Sequence, residues 1–249
     1  MRRLLDLLTG RRRPAPAAAF DAALAPDAPF AAIGDVHGRD DLLARLFDRL
    51  DRDHPGRPVI LVGDLIDRGE DSAGVIARLR QRPEITVLLG NHEAMLLAFL
   101  DDEERKPGRW LRHGGLQMLA SYGIGGITPT TAGPAALARA RDALRAAMGE
   151  AALAWLRDRP LLWRSGNVVV THAGADPALP PEDQSDELVW GHPRYDRPRG
   201  DGLWIVHGHK VVPEPQVAPG RIAIDTGAYA TGRLTAALVD PGGVRFLSA

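Results

Sequence analysis

The sequence predicts an α/β fold, and three observations carry that prediction. Three short apolar runs rich in β-branched residues each end in a glycine followed by a polar residue. Each is followed by a stretch with apolar residues at helical spacing. After Pro160 the chain turns to closely spaced strand-like runs with few helical stretches between them.

Taken in order, PFAAIG ends in Asp35-Val36-His37 and precedes the helical DDLLARLFDRL. PVILVG ends in Asp64 and precedes SAGVIARLRQR, and ITVLLG ends in Asn91-His92 and precedes AMLLAFLDD. The polar residues sit at the C-terminal ends of the strands, where open α/β sheets place their sites. Residues 105–160 read as helical, broken at Pro107-Gly108, at Gly123 to Gly126 and over 128–134, and form an expected cap or insertion without chemistry of its own. The later strands are LLWRSG, NVVVTHAG, LWIVHGH, RIAIDTGAY, LTAALVD and VRFLS, and their spacing predicts a second, more antiparallel sheet. Residues 1–28 are rich in Ala, Pro and Arg without a core-forming period. They read as a flexible, loosely packed leader to a domain over 29–249.

Composition narrows the function. The absence of cysteine removes disulfides, thiolate nucleophiles and Cys-based zinc sites together. A formal charge of −1 supplies no global field for nucleic acid or an acidic membrane, so neither is an expected partner. The apolar stretch within Met1 to Leu8 is too short for a signal-peptide core and is broken by Asp6, and no run is long enough to span a membrane. A cytoplasmic location is the expectation.

Five strand ends carry metal-competent residues: Asp35-Val36-His37, Asp64, Asn91-His92, His172 and His207-Gly208-His209. One such end is common and usually structural; five in one chain imply a shared pocket. A mixed set of carboxylate, amide and imidazole donors suits Mn²⁺, Fe²⁺ or Zn²⁺ rather than Ca²⁺. Two such ions a few ångströms apart can share a carboxylate and turn a shared water into hydroxide at neutral pH, the arrangement for in-line attack on phosphorus.

The blocks GDVHG (34–38), GDLIDRG (63–69) and GNHE (90–93) resemble the signatures of calcineurin-like metallophosphoesterases, in the form found in the phosphoprotein phosphatase branch with its bacterial and lambda-phage members. HAG (172–174) and HGHK (207–210) resemble the two later histidine blocks, and the order holds from Ala31 to Phe246. The resemblance implies a four-layer α/β/β/α sandwich of two mixed sheets. It implies two divalent ions, Mn²⁺ foremost with Fe or Zn as alternatives. Asp35, His37 and Asp64 would hold the first; Asp64, Asn91, His172 and His209 the second, with Asp64 bridging. His207 and His209 face one side of a strand, so periodicity does not choose between them. The block pattern selects His209 and leaves His207 outside the ligand set.

The resemblance also makes His92 the acid that protonates the leaving oxygen, with Asp67 as its partner and Arg68 as a phosphate fork. A carboxylate partner would keep the imidazole protonated at neutral pH. Related phosphatases place a second phosphate-binding arginine in a Trp-X-Arg block, where this chain reads Trp190-Gly191-His192-Pro193-Arg194. Either His192 or Arg194 substitutes, or the clamp has one arginine. Asn91 and Tyr229 complete the expected substrate contacts, with Asp225 orienting nearby backbone.

The implied activity is hydrolysis of phosphoserine or phosphothreonine in proteins or peptides, with phosphotyrosine as a further substrate. The alternative is a small-molecule phosphoesterase such as a symmetrical dinucleoside tetraphosphatase. That group typically lacks the equivalent of Asp67 and reads GNHD in place of GNHE, so Asp67 and Glu93 point to the protein phosphatase branch.

Overall fold

The computed structural model describes residues 20–101, 108–128 and 133–249. The first half builds β1 (Phe30–Ile33), α1 (Asp40–Asp53), β2 (Val59–Leu61), α2 (Ser72–Arg80), β3 (Thr86–Val87) and α3 (Asn91–Leu100). An irregular helical turn, Leu111–Gly115, leads into α4 (Leu116–Ser121), and α5 (Pro134–Met148) and α6 (Glu150–Arg157) follow. The second half contains β4 (Leu162–Ser165), β5 (Val168–Thr171), α7 (Asp186–Trp190), β6 (Trp204–His207), β7 (Gln216–Ala218) and β8 (Arg221–Ala223). It ends with α8 (Ala228–Thr231), β9 (Thr235–Asp240) and β10 (Gly243–Ser248).

These strands form two mixed five-stranded sheets, ordered β10-β9-β1-β2-β3 and β4-β5-β6-β8-β7. In the first, β1, β2 and β3 are parallel, with Ala31 opposite Val59 and Ile60 opposite Thr86. In the second, the central β5, β6 and β8 are parallel and the edges β4 and β7 antiparallel. The expectation of a more antiparallel second sheet is thereby corrected. LTAALVD and VRFLS, read as belonging after Pro160 with the others, join the first sheet instead: β9 pairs antiparallel with β1 and carries β10 at its far edge.

The alternation of strand side chains divides the core. Ala31 and Ile33 of β1, with Leu61, Val87, Ala236 and Leu238, face a helical layer. Phe30, Ala32, Ile60 and Val62 face the second sheet and meet Val168, Val170, Val206 and Ile222 there. Helix α1 presents Leu42, Leu43, Leu46, Phe47 and Leu50 to the first of these cores, the i, i+3/i+4 stripe of an amphipathic helix. The second sheet's outer face buries a smaller cluster of Val169, Leu203 and Ile205.

Within the expected cap or insertion, helices α5 and α6 pack Leu137, Leu144, Leu153 and Leu156 into the same core as β1 and α1. Residues 1–19 of the expected leader lie outside the described residues, but residues 20–28 are not loosely packed. Leu24 is buried, Ala25 N–H donates to Asn167 Oδ1 (2.8 Å), and Gly166 N–H donates to Asp27 (2.7 Å). Other partners of this stretch include Trp204 of β6, whose indole N–H donates to the Ala22 carbonyl, and Gly242 in the β9–β10 turn of the first sheet, whose N–H donates to the Leu24 carbonyl. Among the described residues, no helix is long and apolar enough to cross a membrane.

Candidate metal centre and phosphate site

The parallel strands of each sheet deliver their following loops to one shared rim. Asp35 and His37 follow β1, Asp64 follows β2, and Asn91 and His92 open α3. From the other sheet, His172 follows β5 and His209 follows β6. Among the described residues, five non-glycine residues have left-handed backbone: His37, Asp64, Asp67, Arg68 and His209, with φ between 47° and 71°. All five are residues singled out from the sequence. Each such conformation costs about 1–3 kcal/mol and persists only where its surroundings enforce it.

Two donor groups share Asp64. His37, Asp64 and His92 form one; Asp64, His172 and His209 form the other. Asp64 Oδ2 lies 3.6 Å from His37 Nε2, while Oδ1 lies 3.4 Å from His172 Nε2, so one carboxylate presents an oxygen to each group. Asn91 Oδ1 lies 3.0 Å from His172 Nε2 and 2.8 Å from His209 Nδ1. Donors bonded at ~2.1 Å to one small divalent ion sit ~3 Å apart, so this spacing fits such an ion. The tautomers fit too. His37 Nδ1–H donates to the Ile66 carbonyl (2.8 Å) and His172 Nδ1–H to the Val62 carbonyl (3.1 Å), leaving each Nε2 lone pair aimed inward.

Burial sets the protonation of the rim. It keeps His172 and His209 neutral, with pKa values pulled down to about 3 and about 4, and it holds His37 well below the ordinary imidazole range. It also raises Asp35 well above the usual carboxylate range, aided by the charges of Asp225 and Asp64. Neutral imidazoles beside crowded buried carboxylates are what a divalent cation would stabilise.

The Asp35 carboxylate, beside Asp64 and Asp225, accepts the His209 main-chain N–H at 3.0 and 3.1 Å, and His92 lies within the group of His37 and Asp64. A Cβ at position 208 would collide with Asp35 Oδ1, so only glycine lets this approach occur.

His92, Asp67 and Arg68 do converge. His92 Nδ1 lies 2.6 Å from Asp67 Oδ2, and the Arg68 guanidinium donates to His92 Nε2 (2.9 Å) and His37 Nε2 (3.0 Å). Arg68 thus occupies two lone pairs that face the donor groups. Against the expectation that Asp67 keeps His92 protonated, burial lowers the His92 pKa and raises that of Asp67, and Nε2 accepts from Arg68 here. Tyr229 completes this side, its ring 4.8 Å from the Arg68 guanidinium and edge-on to His37 at 5.3 Å. Arg68 and Tyr229 open onto a cavity of about 590 Å³ rimmed by Arg39, Asp40, Asp41 and Glu70.

Of the alternatives for the second clamp, the side-chain contacts favour a single arginine. Arg194 Nη2 lies 3.0 Å from Asp176 Oδ2, and His192 Nε2 lies 3.6 Å from the same oxygen. Both side chains are turned to a carboxylate rather than free to grip a phosphate. Sequence reasoning missed Asp176, although it follows the HAG block by two residues. It also missed Trp110, whose indole N–H donates to both oxygens of Asp67 (2.9 and 3.2 Å). Glu93, read only as a branch marker, accepts the main-chain N–H groups of Asp64, Leu65 and Gly90 at 2.8–3.0 Å. Asp225 accepts the Gly227 N–H at 2.8 Å, in keeping with an orienting role. His207 sits fully buried with Nδ1–H on the Gly208 carbonyl and outside both donor groups.

Two packed mixed sheets thus bring Asp, Asn and His donors of the kind that hold divalent ions to one rim. The calcineurin-like phosphoesterase family model matches residues 28–213, and the chain belongs to that family. A symmetrical bis(5′-nucleosyl)-tetraphosphatase of Methylococcus capsulatus is 32% identical over 148 residues, 59% of this chain and 43% of that protein. Serine/threonine-protein phosphatase 1 of Salmonella typhimurium is 30% identical over 216 residues, 83% of this chain and 90% of that protein. The chain spans less than half the length of the first curated relatives it matches. In fold it is similar to a solved structure described as a candidate diadenosine tetraphosphatase. The TM-score is 0.61 at 23% identity, covering 92% of this chain and 99% of that one.

Proposed function

We propose that this chain hydrolyses phosphate monoesters with poor leaving groups, and that its substrates are phosphoserine and phosphothreonine in proteins, with phosphotyrosine as a further one. The observation that carries this reading is the Asp67–His92–Arg68 arrangement. A serine or threonine alkoxide leaves only with a proton, and Asp67 fixes the His92 ring so that Nε2 faces the site. Arg68, once its guanidinium is taken by a phosphoryl group, forks two phosphate oxygens and frees Nε2 to take a proton from water; the imidazolium so formed, held by Asp67, gives that proton to the leaving oxygen. Two divalent ions, Mn²⁺ foremost and Fe or Zn as alternatives, would be held by His37, Asp64, Asn91, His172 and His209, with Asp64 shared and Asp35 close by. When bound they supply a nucleophilic water and neutralise phosphoryl charge.

A second reading, symmetrical cleavage of dinucleoside tetraphosphates, has the stronger support from the names of the first relatives. Against it, those matches span 31% to 59% of the chain, and a nucleoside diphosphate leaves readily without an acid. The Asp67–His92 pair would then have no leaving group to serve.

The test is a direct comparison of the Mn²⁺-loaded protein on a phosphoserine peptide and on diadenosine tetraphosphate. The proposal expects the higher kcat/KM on the peptide. Faster conversion of the tetraphosphate to two diphosphates establishes the second reading in its place.

A further inference from the structure

The indole of Trp110, just before the irregular turn Leu111–Gly115, is fully buried. Its Nε1–H lies 2.9 Å from Asp67 Oδ2 and 3.2 Å from Oδ1, and the same Oδ2 takes His92 Nδ1 at 2.6 Å. An unbroken path therefore runs from the indole through one carboxylate to the imidazole. The ring has little freedom to leave it. Phe99 packs against it at 4.8 Å between centroids, and a Cβ at Gly115 would sit 2.6 Å from Cδ2 and Cε2 of the indole. The face of Trp110 is thus pressed onto a backbone that admits no side chain.

The same turn holds the neighbouring clamp. Gly114, at φ 114°, offers its carbonyl to the Arg68 N–H at 3.4 Å, and a Cβ there would lie 2.7 Å from that nitrogen. On the other side, Asp67 N–H donates to Ser72 Oγ at 3.0 Å. Asp67 and Arg68 are consecutive left-handed residues, at φ 71° and 67°, and such a pair persists only where neighbours enforce it. The Trp110–Gly115 turn supplies that enforcement from a segment more than 40 residues away in sequence.

We propose that Trp110 is a positioning residue for phosphoester cleavage: its indole N–H fixes the Asp67 carboxylate so that the His92 ring points its Nε2 at the leaving oxygen. The proposal rests on the reading of His92 as the general acid. The indole N–H reaches His92 through the Asp67 carboxylate, so removing that donor acts on the ring through Asp67. An Asp67 carboxylate without the indole donor turns away from its bond with Nδ1, and the ring loses its single orientation. The effect should then grow with the basicity of the leaving group, because only poor leaving groups need the proton.

The experiment compares Trp110→Phe and His92→Ala with the wild type, all Mn²⁺-loaded, on a phosphoserine peptide and on p-nitrophenyl phosphate, with metal content measured for each. Trp110→Phe keeps most of the ring volume and removes the donor. It is expected to lower kcat on the peptide about tenfold or more, the scale of one hydrogen bond to a charged group. The loss on the aryl ester should be smaller, with KM and metal content little changed. Site-specific benzothienylalanine at position 110 has the shape of the indole without its N–H and should reproduce the result. It replaces the phenylalanine variant if that protein does not fold. Equal losses on the two substrates, or none on the peptide, overturn the proposal. If His92→Ala spares the aryl ester but Trp110→Phe does not distinguish the two, the positioning role alone fails. If His92→Ala slows both substrates equally, the acid reading beneath it has failed.

Discussion

The two halves of the rim are built differently. The first sheet's loops carry His37, Asp64, Asp67, Arg68 and His92, and four of these five residues are left-handed. They are braced by Glu93 across three main-chain N–H groups, by Ser72, and by the Trp110–Gly115 turn. The second sheet contributes His172 and His209, held by main-chain contacts at the ends of β5 and β6, and behind them a pair of polar side chains tied to Asp176. The residues proposed as acid, clamp and shared carboxylate thus sit on one heavily braced side, and the other side adds imidazoles that burial keeps neutral. On the proposed reading this is a division of labour, in which the first half would handle the phosphoryl and leaving groups and the second would complete the donor set.

The sharpest way to break this comparison is to remove one histidine from each half. His92→Ala should lower kcat on a phosphoserine peptide by about 10²–10⁴-fold while retaining bound metal. His172→Ala should slow peptide and aryl ester by the same factor and lower metal content, as elemental analysis of the dialysed proteins would report. If the two variants behave alike, the division of labour is wrong.

Acid stability tests the imidazole half in the metal-free protein. His172 is depressed to about 3 by burial, below an ordinary value near 6.5. The unfolded chain therefore binds the proton first. The stability that neutral His172 contributes is complete above about pH 6.5 and is lost as pH falls toward 3. At ~1.4 kcal/mol per pKa unit, the loss is several kcal/mol, and His209, depressed to about 4, adds to it. Urea melts at pH 7.5 and pH 5 should show the drop; His172→Gln should flatten it.

Glu93 tests the bracing of the other half. Its Oε1 accepts one main-chain N–H and its Oε2 two, so an amide at this position must turn an NH₂ toward a donor. Glu93→Gln should destabilise the protein by about 1–3 kcal/mol in denaturant melts. The smallest effect belongs to Arg194, half-exposed and already paired with Asp176. Arg194→Ala should change KM for the peptide by less than a factor of about five, matching an exposed ion pair worth at most about 1 kcal/mol. A larger KM effect would restore Arg194 to the phosphate clamp.

The parts of this site that could be read from sequence were those written locally. A β-branched run ending in Gly-Asp or Gly-Asn announces both a buried strand and a polar residue at its C-terminal end. That is why Asp64 and Asn91 lie where the strand pattern put them. The parts that could not be read depend on partners distant in sequence. Trp110 reads as one more apolar residue until the fold sets it against Asp67, 43 positions away. Asp176 looks like loop polarity until His192 and Arg194 turn to it. Periodicity describes LTAALVD correctly as a strand but cannot say which sheet it joins. That choice is made by the pairing of β9 with β1, more than 200 residues earlier. The pKa of His92 departs from the sequence reading for a related reason: a carboxylate partner raises an imidazole pKa, yet burial pulls this one down.

Counting bound metal tests the central claim most directly, because every role assigned to the rim depends on two donor groups sharing Asp64. Metal-stripped protein dialysed against Mn²⁺ should bind two ions per chain and recover hydrolysis of p-nitrophenyl phosphate that chelation had abolished. Asp64→Asn should fail to hold the pair and should not recover activity. Full turnover by the stripped protein, or an Asp64→Asn variant that binds two ions and works normally, would contradict the account.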